Sequence, residues 1–401
     1  MPISTKKIYK TLFWLRPISL FVKILKFLSL LKPIFFDQTS FYPKFVLNFE
    51  NNFAKKINCN FGVTFSNGTS AIEAALFASG ISKNTEVLVC GHTFHASIMA
   101  ILNYGCKPKL IEVNEDLDFD IEHLKKNINE NTSAIVLVHL WGIPLNVKEI
   151  LEISIEQNIK IIEDSSHSYG AKFNDDFVGS IGSVGCFSLQ GSKPIAAGEG
   201  GICVTKSEEI YKKLNFYGHF GRIKIPKFSS LSPHSEKTGY GKKLRANPLG
   251  IKIAQIDLIF FNYTNKIKNQ NFQKLNKIFQ NIPLFKSIYL NNSKKPGGFF
   301  GGFPIIYRGN DIDHTVNVFS KNGIIINRNP YFNLNKSKHI FSDEIRNKIF
   351  LNTEHNYVPN FEKLDKVDFL CSRLLLLDER YLIFLPNFII KKIKLAIKKC
   401  Y

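Results

Sequence analysis

Short apolar runs alternate with amphipathic stretches from residue 61 to about residue 206 of the chain. Six of the runs have the composition of buried β-strands, and they cover residues 85–91, 107–113, 133–140, 159–165, 184–189 and 200–206. Helical patterns lie between several of them, over residues 69–79, 93–104, 120–128 and 146–158. Strands that alternate with helices predict an α/β fold, in which a mainly parallel sheet has helices on both faces. Ligands of such sheets bind at the carboxyl ends of the strands.

The pattern becomes continuously helical between about Pro248 and Phe279, and a mixed α/β segment follows to the end of the chain. A chain of 401 residues has room for one large or two medium domains. We therefore predict a basic, apolar N-terminal extension over residues 1–45 and a large α/β domain over residues 46–250. Residues 251–401 are expected to form an interdomain helix and a smaller C-terminal α/β domain.

The first 36 residues differ from the rest because they contain seven Lys or Arg residues and no Asp or Glu. Arg16, Lys23, Lys26 and Lys32 interrupt the apolar run, so it lacks the uncharged span of about 20 residues that crosses a bilayer. A convincing signal-peptide cleavage site is also missing. The pattern predicts either a basic amphipathic helix that lies on a membrane or a helix that docks on the body of the protein or on a second subunit.

Charge and cysteine content narrow the function classes. The 53 Lys and Arg residues exceed the 33 Asp and Glu residues and give a net charge of +20. Such a balance can indicate nucleic acid, anionic lipid or a phosphorylated substrate. Lys, Asn, Ile and Phe are abundant throughout, however, so we interpret the charge as compositional bias and expect no nucleic-acid partner. The seven cysteines are scattered without C-x-x-C spacing, which argues against a zinc cluster and indicates a reducing, cytoplasmic location.

The stretch NGTSAIEAAL, residues 67–76, places Gly68, Thr69 and Ser70 where a helix should begin. The free N–H groups of a first helical turn, together with the helix dipole, bind phosphate groups well. The same residues also serve as ordinary helix caps. The stretch alone therefore allows a phosphate site or a plain N-terminal cap.

A second stretch, IIEDSSHSYGA over residues 161–171, ends an isoleucine-rich strand at Asp164. A carboxylate at this edge of the sheet can pair with a cationic ring nitrogen and keep it protonated, because a nearby opposite charge favours the charged form. The alternative is an aspartate that caps the following turn.

The third stretch, FSLQGSKPIAAGEGG over residues 187–201, holds Lys193 among glycines and just before Pro194. The proline biases Lys193 away from the helical region. A lysine that bonds to a carbonyl group must lose a proton from a pKa of about 10.4, which requires burial or suitable neighbours. An exposed lysine is the alternative. An anion cradle, a strand-end acid and a framed lysine are together the groups that pyridoxal phosphate needs.

The order and spacing of these stretches resemble the DegT/DnrJ/EryC1/StrS family of pyridoxal-phosphate-dependent sugar aminotransferases, which have the aspartate aminotransferase fold (fold type I). The resemblance covers residues 45–265 well and the remainder loosely. It implies that Lys193 is the Schiff-base lysine, that Asp164 pairs with the ring nitrogen, and that residues 46–250 are the cofactor-binding domain. The phosphate would be bound by Gly68, Thr69, Ser70 and Ser188.

The resemblance implies three further roles. Phe94 lies where the family stacks an aromatic ring on the cofactor, although core packing would equally explain it. His167 lies near the expected position of the ring hydroxyl, with a buried structural histidine as the alternative. Lys243 stands where many members have an Asn that reaches the cofactor phosphate of the other subunit, which implies a shared site and a homodimer.

The implied reaction moves an amino group from glutamate to a keto group of a nucleotide-linked deoxysugar, in polysaccharide biosynthesis, with Lys193 as the general base and acid. Related dehydratases have histidine in place of this lysine, so Lys193 argues against that reaction. A cyclic ketone without a nucleotide, or a vestigial site in a basic membrane-binding protein, remain alternatives. Residues 1–45 and 324–341 depart from the family pattern, and both departures concern the substrate.

Overall fold

The computed structural model describes residues 16–36, 43–222, 238–288, 290, 293–337 and 363–401, with side chains from residue 21 to residue 31 in the first range. Its strands are β1 Phe61–Phe65, β2 Glu86–Cys90, β3 Lys107–Ile111, β4 Thr132–Val138, β5 Lys160–Asp164, β6 Lys172–Phe173, β7 Asp176–Phe177, β8 Val184–Ser188, β9 Gly201–Thr205, β10 Phe285–Ser287, β11 Lys294–Lys295, β12 Phe303–Tyr307, β13 Ile326–Arg328 and β14 Leu374–Leu377.

Helices occur along the whole described chain, from the N-terminal extension to the C-terminal end. They are α1 Arg16–Phe36, α2 Lys44–Lys56, α3 Gly68–Ala78, α4 His95–Tyr104, α5 Ile121–Asn127, α6 Lys148–Glu156, α7 Glu208–Gly218, α8 Pro248–Phe279, α9 Ile312–Lys321, α10 Asp365–Arg373, α11 Arg380–Ile383 and α12 Asn387–Lys398. Two short 3₁₀ turns cover Leu140–Gly142 and Leu334–Lys336.

A seven-stranded sheet in the order β1-β9-β8-β5-β4-β2-β3 forms the centre of the large α/β region. Strands β3, β2, β4, β5 and β8 are parallel. Strand β9 is antiparallel to both β8 and β1. The predicted α/β fold with a mainly parallel sheet is therefore confirmed. All six predicted strands and all four helices predicted between them are present within two residues of their expected ends.

The C-terminal part of the chain contains a second sheet of four antiparallel strands, in the order β10-β12-β14-β13. A smaller sheet, β11-β6-β7, joins residues of the C-terminal part to the large region. The predicted helix from Pro248 to Phe279 is confirmed at both ends as α8. Helix α8 contacts α1 and α2 as well as β10 and β12, so it links the N-terminal helices to the second sheet. The proposed domain boundaries stay a prediction.

The N-terminal helix α1 packs along α8. The ring of Phe21 meets that of Phe260 edge to face at 6.5 Å between centroids, and Lys26 Nζ lies 2.7 Å from the carboxylate of Asp257. Large apolar side chains of α1 nevertheless remain exposed to solvent, and they are Phe21, Ile24, Phe27, Leu28 and Leu31. Of the helices in the described ranges, none is long and apolar enough to cross a membrane. The helix therefore docks on the body and keeps apolar side chains exposed.

Candidate active site

A cavity of about 700 Å³ opens where β4, β5 and β8 end, at Val138, Asp164 and Ser188. The first turn of α3 and the loop between β8 and β9 complete this side of the cavity. The opposite side comes from the C-terminal part of the chain, through Phe300 and the segment that follows β13. The location agrees with the rule that ligands bind at the carboxyl ends of parallel strands.

Lys193 lies in the β8–β9 loop and lines this cavity. Backbone hydrogen bonds close the loop, among them those from Gly191 N to Gly198 O at 2.7 Å and from Lys193 N to Gln190 O at 2.8 Å. The Nζ atom lies 3.4 Å from the centre of the Phe300 ring. Burial lowers the pKa of Lys193 from 10.5 to about 8, although Asp164 and Glu379 act to raise it. This lysine therefore releases its proton far more readily than one in water.

Asp164 is buried at the last position of β5, with 7% of its surface exposed. Its Oδ2 accepts a hydrogen bond from Ser97 Oγ at 2.7 Å, and its Oδ1 accepts one from Ser166 N at 3.1 Å. The bond from Ser166 is the turn-capping contact that formed the alternative interpretation. Both contacts fix the carboxylate in the cavity wall, so the capping contact and a role toward a ligand are compatible.

The first turn of α3 forms an anion cradle against the end of β8. The side chain of Asn67 caps the helix by accepting from Ser70 N at 2.8 Å. Because a helix has no internal partner for its first N–H groups, those of Gly68 and Thr69 are suited to an anion. A Cβ atom at Gly68 would lie 3.0 Å from Ser188 Cβ, so this close approach favours glycine.

Ser70 is placed differently from Thr69. Its N–H serves the Asn67 cap, and its hydroxyl lies 3.2 Å from Ser66 Oγ. Of the residues expected to bind phosphate, Gly68, Thr69 and Ser188 line the cavity, whereas Ser70 stands behind them. The direct phosphate contact assigned to Ser70 stays a prediction.

Aromatic side chains cover the part of the cavity beyond Lys193. The rings of Trp141 and Tyr331 are stacked with their centroids 4.9 Å apart, and those of His167 and Phe300 are 4.4 Å apart. Phe94 lines the same cavity and is 45% exposed, so it is not a core residue. The backbone at Gly301 lies close against the Trp141 ring. A Cβ atom added at this glycine would be only 2.5 Å from the ring.

His167 is held neutral at this wall. Burial lowers its pKa well below the ordinary value, and the charge of Lys193 lowers it further. Its Nε2 lies 3.3 Å from the hydroxyl of Tyr331. Its buried Nδ1 has no hydrogen-bond partner within the described part of the chain. Buried polar atoms are nearly always paired, so Nδ1 is suited to a polar group of a ligand.

Two basic residues of the family-like segments lie outside the cavity lining. Lys243 is exposed and pairs with His219 in an isolated β-bridge. Its predicted contact is with the cofactor phosphate of a second subunit, so a single chain does not test it. Arg222 is paired with the buried carboxylate of Glu50, where one contact measures 3.1 Å. Arg222 thus has a structural partner within its own chain.

The residues of this cavity fit pyridoxal phosphate. They provide an anion cradle, a buried carboxylate, a lysine of low pKa and an unpaired buried nitrogen. The motifs did not reveal several other lining residues, which are Trp141, Phe300, Asn327, Arg328 and Tyr331. The glycine-rich stretch PGGFFGG, residues 296–302, was a usable signal, because repeated glycines allow one segment to approach another closely.

Comparison with known proteins identifies the family of the chain. The profile of the DegT/DnrJ/EryC1/StrS aminotransferase family matches residues 37–359. GDP-perosamine synthase of Escherichia coli O157:H7 is 36% identical over 176 residues, which are 43% of this chain and 48% of that protein. GDP-4-keto-6-deoxy-D-mannose 3-dehydratase of Escherichia coli O55:H7 is 35% identical over 175 residues, or 42% and 45% of the two chains. The chain thus spans about half the length of the curated relatives it matches.

A solved structure extends the comparison to nearly the whole chain. The aminotransferase from Psychrobacter cryohalolentis superposes with a TM-score of 0.79 over 94% of this chain and 96% of its own. The two sequences are 20% identical, so the likeness concerns the fold. It confirms the fold predicted from the sequence.

Proposed function

This chain belongs to the DegT/DnrJ/EryC1/StrS aminotransferase family, and we propose that it transfers an amino group to a keto group of a nucleotide-linked sugar. Members of the family use pyridoxal phosphate, and the cavity fits that group. One observation carries the proposal. Lys193, the carboxylate of Asp164 and the first turn of α3 meet in a single cavity.

When bound, pyridoxal phosphate supplies an electron-poor ring that stabilises negative charge on a neighbouring carbon. Asp164 holds positive charge at the ring nitrogen, because its buried carboxylate is kept in place by Ser97 and Ser166. Amino transfer requires a proton to move between the two carbon atoms that flank the transferred nitrogen. Lys193 Nζ would move this proton, since a pKa of about 8 lets it act as both base and acid near neutral pH.

The remaining residues of the cavity bind the cofactor and enclose the reacting atoms. The N–H groups of Gly68 and Thr69 and the hydroxyl of Ser188 bind the phosphate. The neutral His167 offers Nδ1 to the ring hydroxyl, while Phe94 covers the ring. The aromatic side chains beyond Lys193, which include Trp141, Tyr331 and Phe300, exclude water from the reacting atoms. The exclusion of water strengthens every electrostatic contact inside the cavity.

Dehydration of the sugar is the alternative to amino transfer, because one relative is named a dehydratase. Dehydratases of this family replace the active-site lysine with histidine, whereas position 193 holds a lysine. Lys193 therefore supports amino transfer over dehydration.

The substrates proposed are a nucleotide-linked deoxysugar as acceptor and glutamate as donor. The name of the first relative, a GDP-perosamine synthase, supports the sugar nucleotide. A panel of nucleotide ketosugars and nucleotide-free cyclic ketones, offered to the protein loaded with pyridoxamine phosphate, tests the proposal. Amine formed only on ketosugars supports it, whereas turnover of cyclic ketones alone would favour the competing acceptor class.

We also propose that the working unit is a homodimer in which Lys243 reaches the cofactor phosphate of the other subunit. The exposed position of Lys243, away from the cavity of its own chain, supports this arrangement. Mixing inactive Lys193→Ala protein with inactive Lys243→Ala protein, under conditions where subunits exchange, should restore part of the activity. Exchange without recovery would remove the shared-site proposal.

A cytoplasmic protein that touches anionic membranes through residues 1–36 is the last part of the proposal. The exposed side chains of α1, such as Phe27 at 65%, support it together with the seven basic residues. Each Lys or Arg at such a surface contributes about 1 kcal/mol, and salt weakens this attraction. Co-sedimentation with anionic vesicles should be stronger for the full chain than for a version lacking residues 1–36. Equal sedimentation of the two would contradict the contact.

A further inference from the structure

The N-terminal helix α1 lies outside the part of the chain that the family profile matches. The profile begins at residue 37, and α1 covers Arg16–Phe36. One basic side chain of this helix nevertheless points inward. Lys26 Nζ lies 2.7 Å from the Asp257 carboxylate on α8, in a contact that leaves the two side chains 26% and 15% exposed.

Asp257 also contacts the loop that carries Lys193. Its Oδ2 accepts a hydrogen bond from Ala196 N at 3.2 Å, three residues beyond Lys193. The lysine loop also packs closely against the start of α8. A Cβ atom added at Gly250 would lie only 2.3 Å from Ala197 O. A continuous chain of contacts therefore runs from α1, through Asp257, to the backbone of the lysine loop.

The charge of Lys26 decides how well this chain of contacts holds. Burial raises the pKa of Asp257, whereas Lys26 and the N–H of Ala196 act to lower it. A hydrogen bond to an ionised carboxylate is about twice as strong as one to a neutral acceptor. Without Lys26, the carboxylate would be a partly buried charge with one backbone donor, an arrangement that is costly to keep.

We propose that Lys26 and Asp257 are positioning residues for the active site: docking of α1 neutralises Asp257, and Asp257 in turn holds the backbone beside Lys193. The role of Lys193 in this statement rests on the proposed function. The mechanical part, that α1 steadies the loop through these two side chains, does not depend on any reaction.

Hydrogen exchange of the apoprotein tests that mechanical part. Lys26→Met should speed exchange of the Ala196 amide by about tenfold, a partial loss that suits a pair that is mostly but not fully buried. Lys23→Met removes the same charge from an exposed position of the same helix, and should leave this amide within about twofold of wild type. Lys26→Arg keeps the charge and should behave as wild type.

The decisive variant is the double substitution Lys26→Met with Asp257→Asn. An amide at position 257 still accepts from Ala196 N but needs no counter-ion, so protection of Ala196 should return. Asp257→Ala, which removes the acceptor, should expose the amide whether or not Lys26 is present. If Lys26→Met prevents folding, Lys26→Gln, which removes the charge but keeps a polar side chain, makes the same comparison in the full chain.

Two results would overturn the proposal. The first is unchanged exchange at Ala196 in Lys26→Met protein. The second is a loss of protection that Asp257→Asn fails to restore, which would show that α1 acts by packing alone. In the holoenzyme, the rate of cofactor release should follow the same order of variants. If exchange follows the order but cofactor release does not, the contacts with the loop stand, but their role in positioning the active site is wrong.

Discussion

The two walls of the cavity come from regions of very different sequence character. The first, here called the sheet wall, is formed by the ends of β4, β5 and β8 and by the first turn of α3. The second, here called the C-terminal wall, comes from residues more than 100 positions further along the chain. Its members are Phe300, Gly301, Asn327, Arg328, Pro330, Tyr331 and Leu376.

The difference teaches where sequence motifs are informative. Parallel strands bring their carboxyl ends to one edge, so residues such as Asp164 and Ser188 meet because of the topology alone. The C-terminal wall depends on how the second sheet is placed, and on glycines such as Gly301 that allow close packing on Trp141. We propose that the sheet wall binds the cofactor and that the C-terminal wall selects the substrate.

The largest expected effect is that of Lys193→Ala on the sheet wall. Turnover should fall by about 10³-fold or more, because a positioned acid–base group contributes roughly 10²–10⁴-fold. Non-covalent cofactor binding should remain, since the α3 cradle and Asp164 are intact. Steady-state kinetics and equilibrium dialysis measure the two quantities. Substantial remaining turnover would show that another lysine carries the chemistry.

Asp164→Asn should have the next largest effect. The protein should fold with a melting temperature close to wild type, because the amide oxygen can still accept from Ser166 N while the amide nitrogen donates to Ser97 Oγ, whose hydroxyl can also accept. Activity should fall on the order of 10²-fold, the usual cost of losing one preorganised electrostatic contact. Kinetics indistinguishable from wild type would mean that Asp164 serves only the turn before Ser166.

Arg328→Ala tests the C-terminal wall. The guanidinium lies at the cavity and pairs with the exposed Asp313. A charge-assisted contact with the phosphates of a nucleotide sugar would raise the KM of the acceptor by about tenfold when lost. Cofactor affinity should stay unchanged. Asp313→Ala, the matched control, frees Arg328 and should not raise KM. A change in cofactor affinity instead would break the division between the walls.

The smallest effect concerns pH. Only the neutral form of Lys193 reacts with a carbonyl, so its reaction with the cofactor should speed up as pH rises and level off above the pKa of about 8. A lysine with an ordinary pKa of about 10.4 would keep gaining rate up to that value. Binding to Lys193→Ala protein, measured in parallel, removes contributions from other groups. A rate that continues to rise to pH 10 would contradict the lowered pKa.

The sequence predicted the sheet wall well because its features are local. The strands around Asp164 and Lys193 and the long helix α8 were predicted from periodicity and motifs. Strand β1 was not predicted, since its pairing with β9 joins residues about 140 positions apart. The contact of Lys26 with Asp257 also required the folded chain, because no spacing rule relates residues 231 positions apart.

Two neighbouring hydroxyl residues of one motif also lie in different environments in the structure. Thr69 and Ser70 are neighbours in the same helical turn, yet Thr69 lines the cavity while Ser70 serves the Asn67 cap. Which of the two side chains faces a ligand depends on the rotation of α3 against β8. That rotation is set by packing, and the local composition does not reveal it.

The central claim is that Lys193 is the residue that bonds to the cofactor. Borohydride reduction of the protein reconstituted with pyridoxal phosphate, followed by peptide mapping, tests it most directly. The account predicts a single reduced cofactor adduct, located on the peptide that contains Lys193 and absent from Lys193→Ala protein. An adduct on a different lysine, or retention of the yellow, reducible chromophore in Lys193→Ala protein, would contradict the account.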